Sequence, residues 1–367
     1  MLDRERKLHG NHKESELVLE KQVGTTNKRD VNASGLPAGL VVLDAFTLGD
    51  LVYLGAMLAA LREQVPGLPI SVVVGEIGKV FPFFETIGVS RVQLSVPWDD
   101  RRWYKRPMQT IARLPRAAID LRSLAKDSVL GDARGDVRHL VVATLAGKRI
   151  VSSLSFEKWE RLWGRASNHI FVERRNWLWK LQDQLGLPRT APKWPWIKVP
   201  AAPPKNTTAP PTVLLSPGGS GELKKWDPAK WQRLASILRE MGLHTVFIRE
   251  PERTPSVLDS EEQWSGNIEQ LASRLASADL VVAIDSFVGH VAAAVGTPTL
   301  TLFGPQLPEL WKPWGPKARY VIVDDFSCRP CTQRRCVRPG VSCMDLLDVR
   351  VVADAVENCF STPAAIT

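Results

Sequence analysis

Apolar residues fall in short continuous runs, each followed by a longer stretch whose apolar positions recur at helical spacing. A run too short for a helix and bounded by turn residues reads as a strand buried on both faces, and the stretch after it as the helix that covers it. GLVVLDA, from Gly39, is the first such run, and LVYLGAMLAALREQ is the helix behind it. ISVVVGE (Ile70 to Glu76), RVQLSV (Arg91 to Val96), SVLGDA (Ser128 to Ala133) and KRIVSSL (Lys148 to Leu154) read as further strands. HIFVERRNWLWKLQDQLGLP, from His169, predicts an amphipathic helix stopped by Gly186 and Pro188. Alternation of this kind predicts a parallel sheet of α/β type.

The alternation breaks at TAPKWPWIKVPAAPPKNTTAPP, whose prolines cannot donate ladder hydrogen bonds, so the segment predicts an extended linker with a boundary near Pro200. It then restarts: strand TVLLSPG, helix DPAKWQRLASILREMG, strand LHTVFIRE, helix NIEQLASRLASA, strand DLVVAID, helix GHVAAAVG and strand TPTLTLFG. The pattern predicts two Rossmann-like α/β domains facing each other across a cleft. Residues 1–38 are polar and aperiodic and read as a flexible extension. Residues 39–195 form the first domain, 196–348 the second, and 349–367 a final helix and tail. That helix, VRVVADAVENCF from Val349, is expected to pack near the interdomain hinge.

At 367 residues the chain exceeds what one core usually serves, which agrees with two domains. With 44% apolar and 24% charged residues it has the composition of a soluble globular protein. The formal charge of +9 (48 basic against 39 acidic residues) suits phosphorylated small molecules or an anionic lipid surface. No basic stripe with interleaved aromatics and no finger spacing points to nucleic acid, so none is expected as a partner. The first residues mix both charge signs and hold no apolar core of the kind a secretory signal needs. The most apolar stretch, Gly39 to Leu61, contains Asp44 and Asp50, which make a membrane span costly. The expectation is a cytoplasmic protein, with peripheral contact to the inner membrane left open.

Candidate chemistry gathers in DLVVAIDSFVGHVAAAVGTPTLTLFGP, from Asp279. Asp285 ends a strand, and a helix begins almost at once, so the amides from Ser286 through Phe287 to Gly289 lie at a helix N-terminus, a ready anion site. Asp285 stands where open α/β sheets bind ligands and can accept from sugar hydroxyls, and His290 projects from the first helical turn. An ordinary N-cap would leave the same Asp-Ser pair. The turn LLSPGGSGELKKWDP offers Gly218, Gly219 and Gly221 for close backbone approach to a phosphate, with Ser220 and Lys224 adding a hydroxyl and a cation. Lys224-Lys225 as a plain solvated face is the alternative. No P-loop pattern is present.

Together these segments resemble glycosyltransferase family 9, the heptosyltransferase family. Pro217-Gly218-Gly219 with Lys224-Lys225-Trp226 resembles one family motif. Asp285-Ser286-Phe287 through His290, Ala292-Ala293-Ala294, Gly296, Pro298 and Leu302-Phe303-Gly304-Pro305 resembles another. Thr47-Leu48-Gly49-Asp50 looks like the family's S-L-G-D turn, and Arg134-Gly135-Asp136-Val137-Arg138 with the apolar helix after it also fits. The resemblance runs from about residue 39 to 347. It implies a GT-B fold and an inverting, metal-independent transfer of a sugar from a nucleotide-diphosphate donor, ADP-heptose above all, to a lipid-linked or glycan acceptor of the lipopolysaccharide core. No cofactor is implied. Carried over by residue, it implies that Asp50 is the catalytic base, that Ser220 and Lys224 hold donor phosphate, that Asp285 holds the sugar, and that Ser286 and His290 lie against the diphosphate. Phe287 stands where the family usually has glycine. Glu250 or Glu252, after HTVFIRE, is the candidate for ribose.

Cys328, Cys331, Cys336 and Cys343 have spacings a zinc site could use. The resemblance favours a structural element over a catalytic ion, and a structural zinc, reduced packing thiols and a redox-sensitive pair are the alternatives. A nucleotide-sugar epimerase or hydrolase of the same architecture, and a nucleotide-sugar-binding protein without turnover, are the competing functional readings. Fold alone does not separate them.

Overall fold

The computed structural model describes residues 36–43, 47–94, 107–133, 135–152, 174–200, 209–250, 253–323, 326–329, 331, 336–338 and 340–361. Asp44, Arg134, Glu252, residues 1–35 and the ends of several predicted elements lie outside them.

The first sheet is parallel, with strands β1 (Gly39–Leu43), β2 (Ile70–Val74), β3 (Ser90–Gln93), β4 (Ser128–Asp132) and β5 (Ile150–Ser152) in the order β3-β2-β1-β4-β5. Helices α1 (Leu48–Gln64), α2 (Pro107–Leu124), α3 (Val137–Leu145) and α4 (Arg174–Gln184) accompany it. The second sheet holds β6 (Thr212–Ser216), β7 (His244–Ile248), β8 (Gln263–Trp264), β9 (Leu280–Ile284), β10 (Thr299–Phe303) and β11 (Ala318–Ile322), again all parallel, in the order β11-β10-β9-β6-β7-β8. Its helices are α5 (Pro228–Glu240), α6 (Ile268–Ala276), α7 (Phe287–Val295), the short α8 (Pro308–Trp311) and α9 (Val349–Ser361). Every strand that the sequence predicts falls on a strand, and β8 and β11 are additions. β8 has two residues and β11 has exposed positions, so neither shows the continuous apolar run that marks a central strand. Among the described residues no helix is long and apolar enough to cross a membrane.

Helix α1 begins at Leu48, three residues earlier than its apolar run suggested. Thr47 is its N-cap, accepting from the Asp50 amide at 3.4 Å, while Asp50 Oδ2 accepts from the Thr47 amide and hydroxyl at 3.2 and 2.9 Å. This reciprocal capping box satisfies donors that the helix cannot. Every residue from Asp50 to Leu61 is buried. A helix apolar all round must be covered on all sides. Its own sheet covers one side, and α4, the Phe81–Phe84 segment, the linker and the second domain's α7 lie against the others.

The proline-rich segment is therefore no solvated tether where it is described. Trp196 is 2% exposed, its amide and that of Ile197 both donate to Ala294 O in α7, and the Lys193 amide donates to Ala56 O in α1. A Cβ on Gly55 would overlap the Trp196 indole, so glycine at this point of α1 opens the slot the ring fills. Phe81 and Phe84 close around the same ring, with centroids 6.2 and 6.4 Å away. The final helix departs from expectation. α9 buries Val352, Ala353 and Val356 in the second domain's own core with Trp231 and Leu234 of α5, in a cluster separate from the one that holds Trp196. Its apolar stripe matches α5, and that match outweighs any pull toward the hinge.

Replacing Trp196 by alanine should empty this slot and lower the unfolding free energy by about 3–5 kcal/mol. Denaturant titration measures it, and a loss below about 1 kcal/mol would show that the segment lies outside the core.

Candidate functional site

The two loops singled out in the second domain close neighbouring strands, β6 and β9, and come together at their carboxyl ends. Lys224, in a single 3-10 turn (Glu222–Lys224), turns inward and Lys225 outward. Lys224 Nζ lies 2.6 Å from Asp285 Oδ2 in an ion pair, 3.4 Å from the Asp285 carbonyl, and 5.8 Å from the centre of the Trp311 ring. Lys225 instead pairs at the surface with Glu222 at 2.7 Å. The Asp285 side chain is 5% exposed and that of Lys224 28%, so the cation reaches down from the rim to a buried carboxylate. The solvated-face alternative holds for Lys225 only.

Ser286 occupies the N-cap position of α7 in extended conformation, yet its side chain caps nothing, and Ser286 Oγ is buried with no hydrogen-bond partner. The ordinary-cap reading is thus not realised. The first-turn N–H groups of α7 follow Asp285 directly in the chain and carry the positive partial charge of a helix N-terminus. Phe287, at the first helical position, is half-buried and packs on the interdomain core.

The glycines divide by function. A Cβ on Gly218 would collide with the Glu250 carboxyl group, and one on Gly219 would come within 2.8 Å of Ile284 Cδ1. Gly218 is thus required by a side chain of the candidate ribose-binding type, Gly219 by packing on β9. Gly289 has only ordinary van der Waals neighbours, so its buried position makes no steric demand for glycine. Ser220 is exposed and lines a cavity of about 370 Å³ with Gly221, Lys224, Gln306 and Cys331. Glu250, the one of the two candidate glutamates that lies among the described residues, stands against Gly218. Burial raises its pKa, partly offset by Arg253 Nη1 at 3.3 Å, and Glu250 Oε1 is buried without a hydrogen-bond partner.

His290 stands at the domain boundary. It is 5% exposed, and its ring lies 4.9 Å from the Tyr53 ring of α1, with Gly49 so close that a Cβ there would stand 3.4 Å from His290 Cδ2. The side chain thus faces the first domain, where the N-terminal turn of α1 carries Asp50, itself 3% exposed. The turn that carries Asp50 and the helix that carries His290, far apart in sequence, thus pack together across the domain boundary through Gly49 and Tyr53. Sequence reasoning passed over Tyr53, Trp311 and Glu250's contact with Gly218. Aromatic residues spaced within an apolar helix or a Pro-rich loop look like core, and only the fold shows what they face.

The four cysteines of the 328–343 segment are free thiols lining one small cavity with Arg329, Phe326 and Leu223. Among the described residues no group of three or more histidine, cysteine or acidic side chains is arranged to hold one metal ion. Burial pushes the Cys343 thiol up. Arg329 Nε donates to Gly304 O at 2.7 Å, the Cys331 amide to Pro305 O at 2.8 Å, and Gln306 Nε2 to Cys331 O at 3.0 Å. The segment is stitched to the end of β10, behind the Lys224 cavity.

A buried carboxyl group whose pKa is raised on folding lends stability that is full below its unfolded pKa and lost as pH rises through the folded one. Glu250→Gln keeps the shape against Gly218 and removes the cost of burying charge. The unliganded variant should therefore melt no lower than the parent at pH 7, with its advantage shrinking as pH falls through the carboxylate range. A variant that is less stable at pH 7 than at pH 4, relative to the parent, contradicts this account.

A family model described as glycosyltransferase family 9 (heptosyltransferase) matches residues 165–341. Lipopolysaccharide heptosyltransferase 1 of Pseudomonas aeruginosa is 26% identical over 319 residues, covering 81% of this chain and 87% of that protein. Among solved structures, E. coli heptosyltransferase WaaC with ADP is similar at a TM-score of 0.61 and 19% identity, covering 87% of this chain and 99% of that one. WaaC with ADP-2-deoxy-2-fluoro heptose gives 0.60 at 18% identity, with the same coverage. A family 9 glycosyl transferase from Veillonella parvula gives 0.60 at 17%, covering 88% of this chain and 97% of that one. These structures share the two-domain GT-B fold, and the relative of known sequence spans both domains. These similarities support glycosyltransferase family 9 for this chain, and it is a glycosyltransferase.

Proposed function

We propose that this enzyme moves a heptose from ADP-heptose onto a lipopolysaccharide-core or other glycan acceptor, with inversion and without a catalytic metal. Residues 39–195 serve the acceptor and residues 196–348 the donor. The observation that carries the reading is that the turn bearing Asp50 packs, through Gly49 and Tyr53, on His290 of the second domain, because inverting transfer needs a base on one side of the anomeric carbon and a diphosphate site on the other. The family relatives act as heptosyltransferases, and WaaC is solved with ADP and with a fluoro-heptose analogue of the donor, which supports this choice of nucleotide and sugar.

Asp50 takes the proton of the acceptor hydroxyl as its oxygen attacks the anomeric carbon. The bond from that carbon to the diphosphate breaks on the opposite face, and the departing charge is held by Lys224, Ser220, Ser286, His290 and the first amides of α7 (Phe287 to Gly289). Gly218 and Gly219 bring backbone close to the diphosphate, and Glu250 accepts from the ribose. Thr47, by holding Asp50 Oδ2 through two bonds, fixes the carboxylate's orientation. Donor binding exchanges the Lys224–Asp285 pair for contacts with phosphate and sugar hydroxyl respectively. The net charge of +9 suits a phosphate-bearing acceptor presented at an anionic membrane surface.

Transfer from a panel of nucleotide-sugars to heptose-deficient lipopolysaccharide tests the reading directly. Transfer from ADP-heptose that persists in excess chelator is the expected result, and no transfer from any donor sinks it. Asp50→Asn should bind donor like the parent and turn over about 100-fold more slowly, whereas near-normal turnover with lowered stability would leave Asp50 a capping residue alone. Lys224→Ala and Asp285→Ala should each weaken donor binding about tenfold or more. Because the two side chains pair in the unliganded enzyme, the double variant should lose less than the sum of the singles, and strict additivity in calorimetry would refute the exchange.

A further inference from the structure

We propose that Tyr53 is a positioning residue that docks the Asp50 turn of α1 onto donor helix α7. The proposal rests on the functional reading above and adds to it the group that aligns the two half-sites. Tyr53 lies three residues after Asp50 in α1, on the same helix face. It is 2% exposed, and its ring sits between two aromatic groups of the second domain, 4.9 Å from His290 and 4.6 Å, edge-on, from Trp314. Its hydroxyl donates to the carbonyl of Lys312, 259 positions away in sequence, at 3.0 Å.

A phenylalanine would fill the same space, so packing alone does not explain the hydroxyl. It brings a polar atom into a buried interface and commits it to one carbonyl of the other domain, at the end of the short helix α8 whose Trp311 faces Lys224. Such a bond is directional where apolar packing is not. It fixes the rotation and slide of α1 along α7, and Gly49, pressed against His290 one turn earlier, leaves no slack in the same direction. The candidate donor contacts all belong to the second domain and the base belongs to the first. Loosening Tyr53 therefore displaces the base from the donor and leaves donor affinity intact, a separation that a simple core residue would not produce.

Tyr53→Phe keeps the ring contacts and removes the bond, and Tyr53→Ala removes both. For Tyr53→Phe, kcat for transfer should fall about fivefold. For Tyr53→Ala it should fall on the order of 100-fold, the scale of an ångström of misplacement. For Tyr53→Phe, which keeps the ring against His290, the donor dissociation constant from calorimetry should stay within about twofold of the parent. Hydrogen exchange should quicken in the α1 N-terminal turn and in α7, with the strands unchanged, and this readout needs no activity. If Tyr53→Ala does not fold, Tyr53→Phe decides. A kcat equal to the parent's, a donor affinity that falls in step with kcat, or unchanged exchange in α1 and α7 overturns the role of Tyr53 while leaving the transferase reading intact. A parent without transfer activity overturns that reading first and this role with it.

Discussion

Helix α1 has no polar face to give to water. From Asp50 to Leu61 every side chain is buried, so the helix is stable only where sheet, linker and second domain enclose it together. That requirement organises much else in the molecule. Trp196 must enter the slot at Gly55, the linker backbone must bond to Ala56 and Ala294, and α7 must lie against α1. Joining two helices across a domain boundary by apolar burial also sets the distance between what each carries at its N-terminus. On α1 that is Asp50, and on α7 it is the Asp285–His290 block.

The second domain shows how electrostatics are built on a parallel sheet. Strand ends, a helix N-terminus and an inward lysine are placed at one point, and the buried Asp285 carboxylate is tolerated because Lys224 reaches it. Gly218 marks the place where backbone and the Glu250 carboxyl group come too close for a side chain. Behind this site, the cysteine-bearing segment bonds to Gly304, Pro305 and Gln306 and supports the loop that follows β10. Its thiols line a cavity adjoining that of Lys224, with Leu223, Pro305 and Cys331 common to both.

Much of this was legible before any coordinates. Continuous apolar runs marked the central strands because a strand buried on both faces has no alternation to blur. The Asp285 block and the Gly218–Lys224 turn stood out because a ligand site at strand ends needs small residues, a carboxylate and a cation at fixed offsets. The edge strands β8 and β11 were missed for the opposite reason, being short or half-exposed. The final helix was assigned correctly and docked wrongly, since its stripe names an apolar partner without saying which.

The sequence by itself therefore determined the α/β class, the division into two domains, the family and the candidate residues, all of which depend on local period and local spacing. Only the tertiary structure decided that Lys224 turns in and Lys225 out, that Ser286 leaves α7 uncapped, that Glu250 stands at Gly218, and that His290 faces Tyr53 and Gly49 of the other domain. Those are contacts between segments distant in the chain. No periodicity encodes them, because they arise only when two separately patterned surfaces close on each other and exclude water.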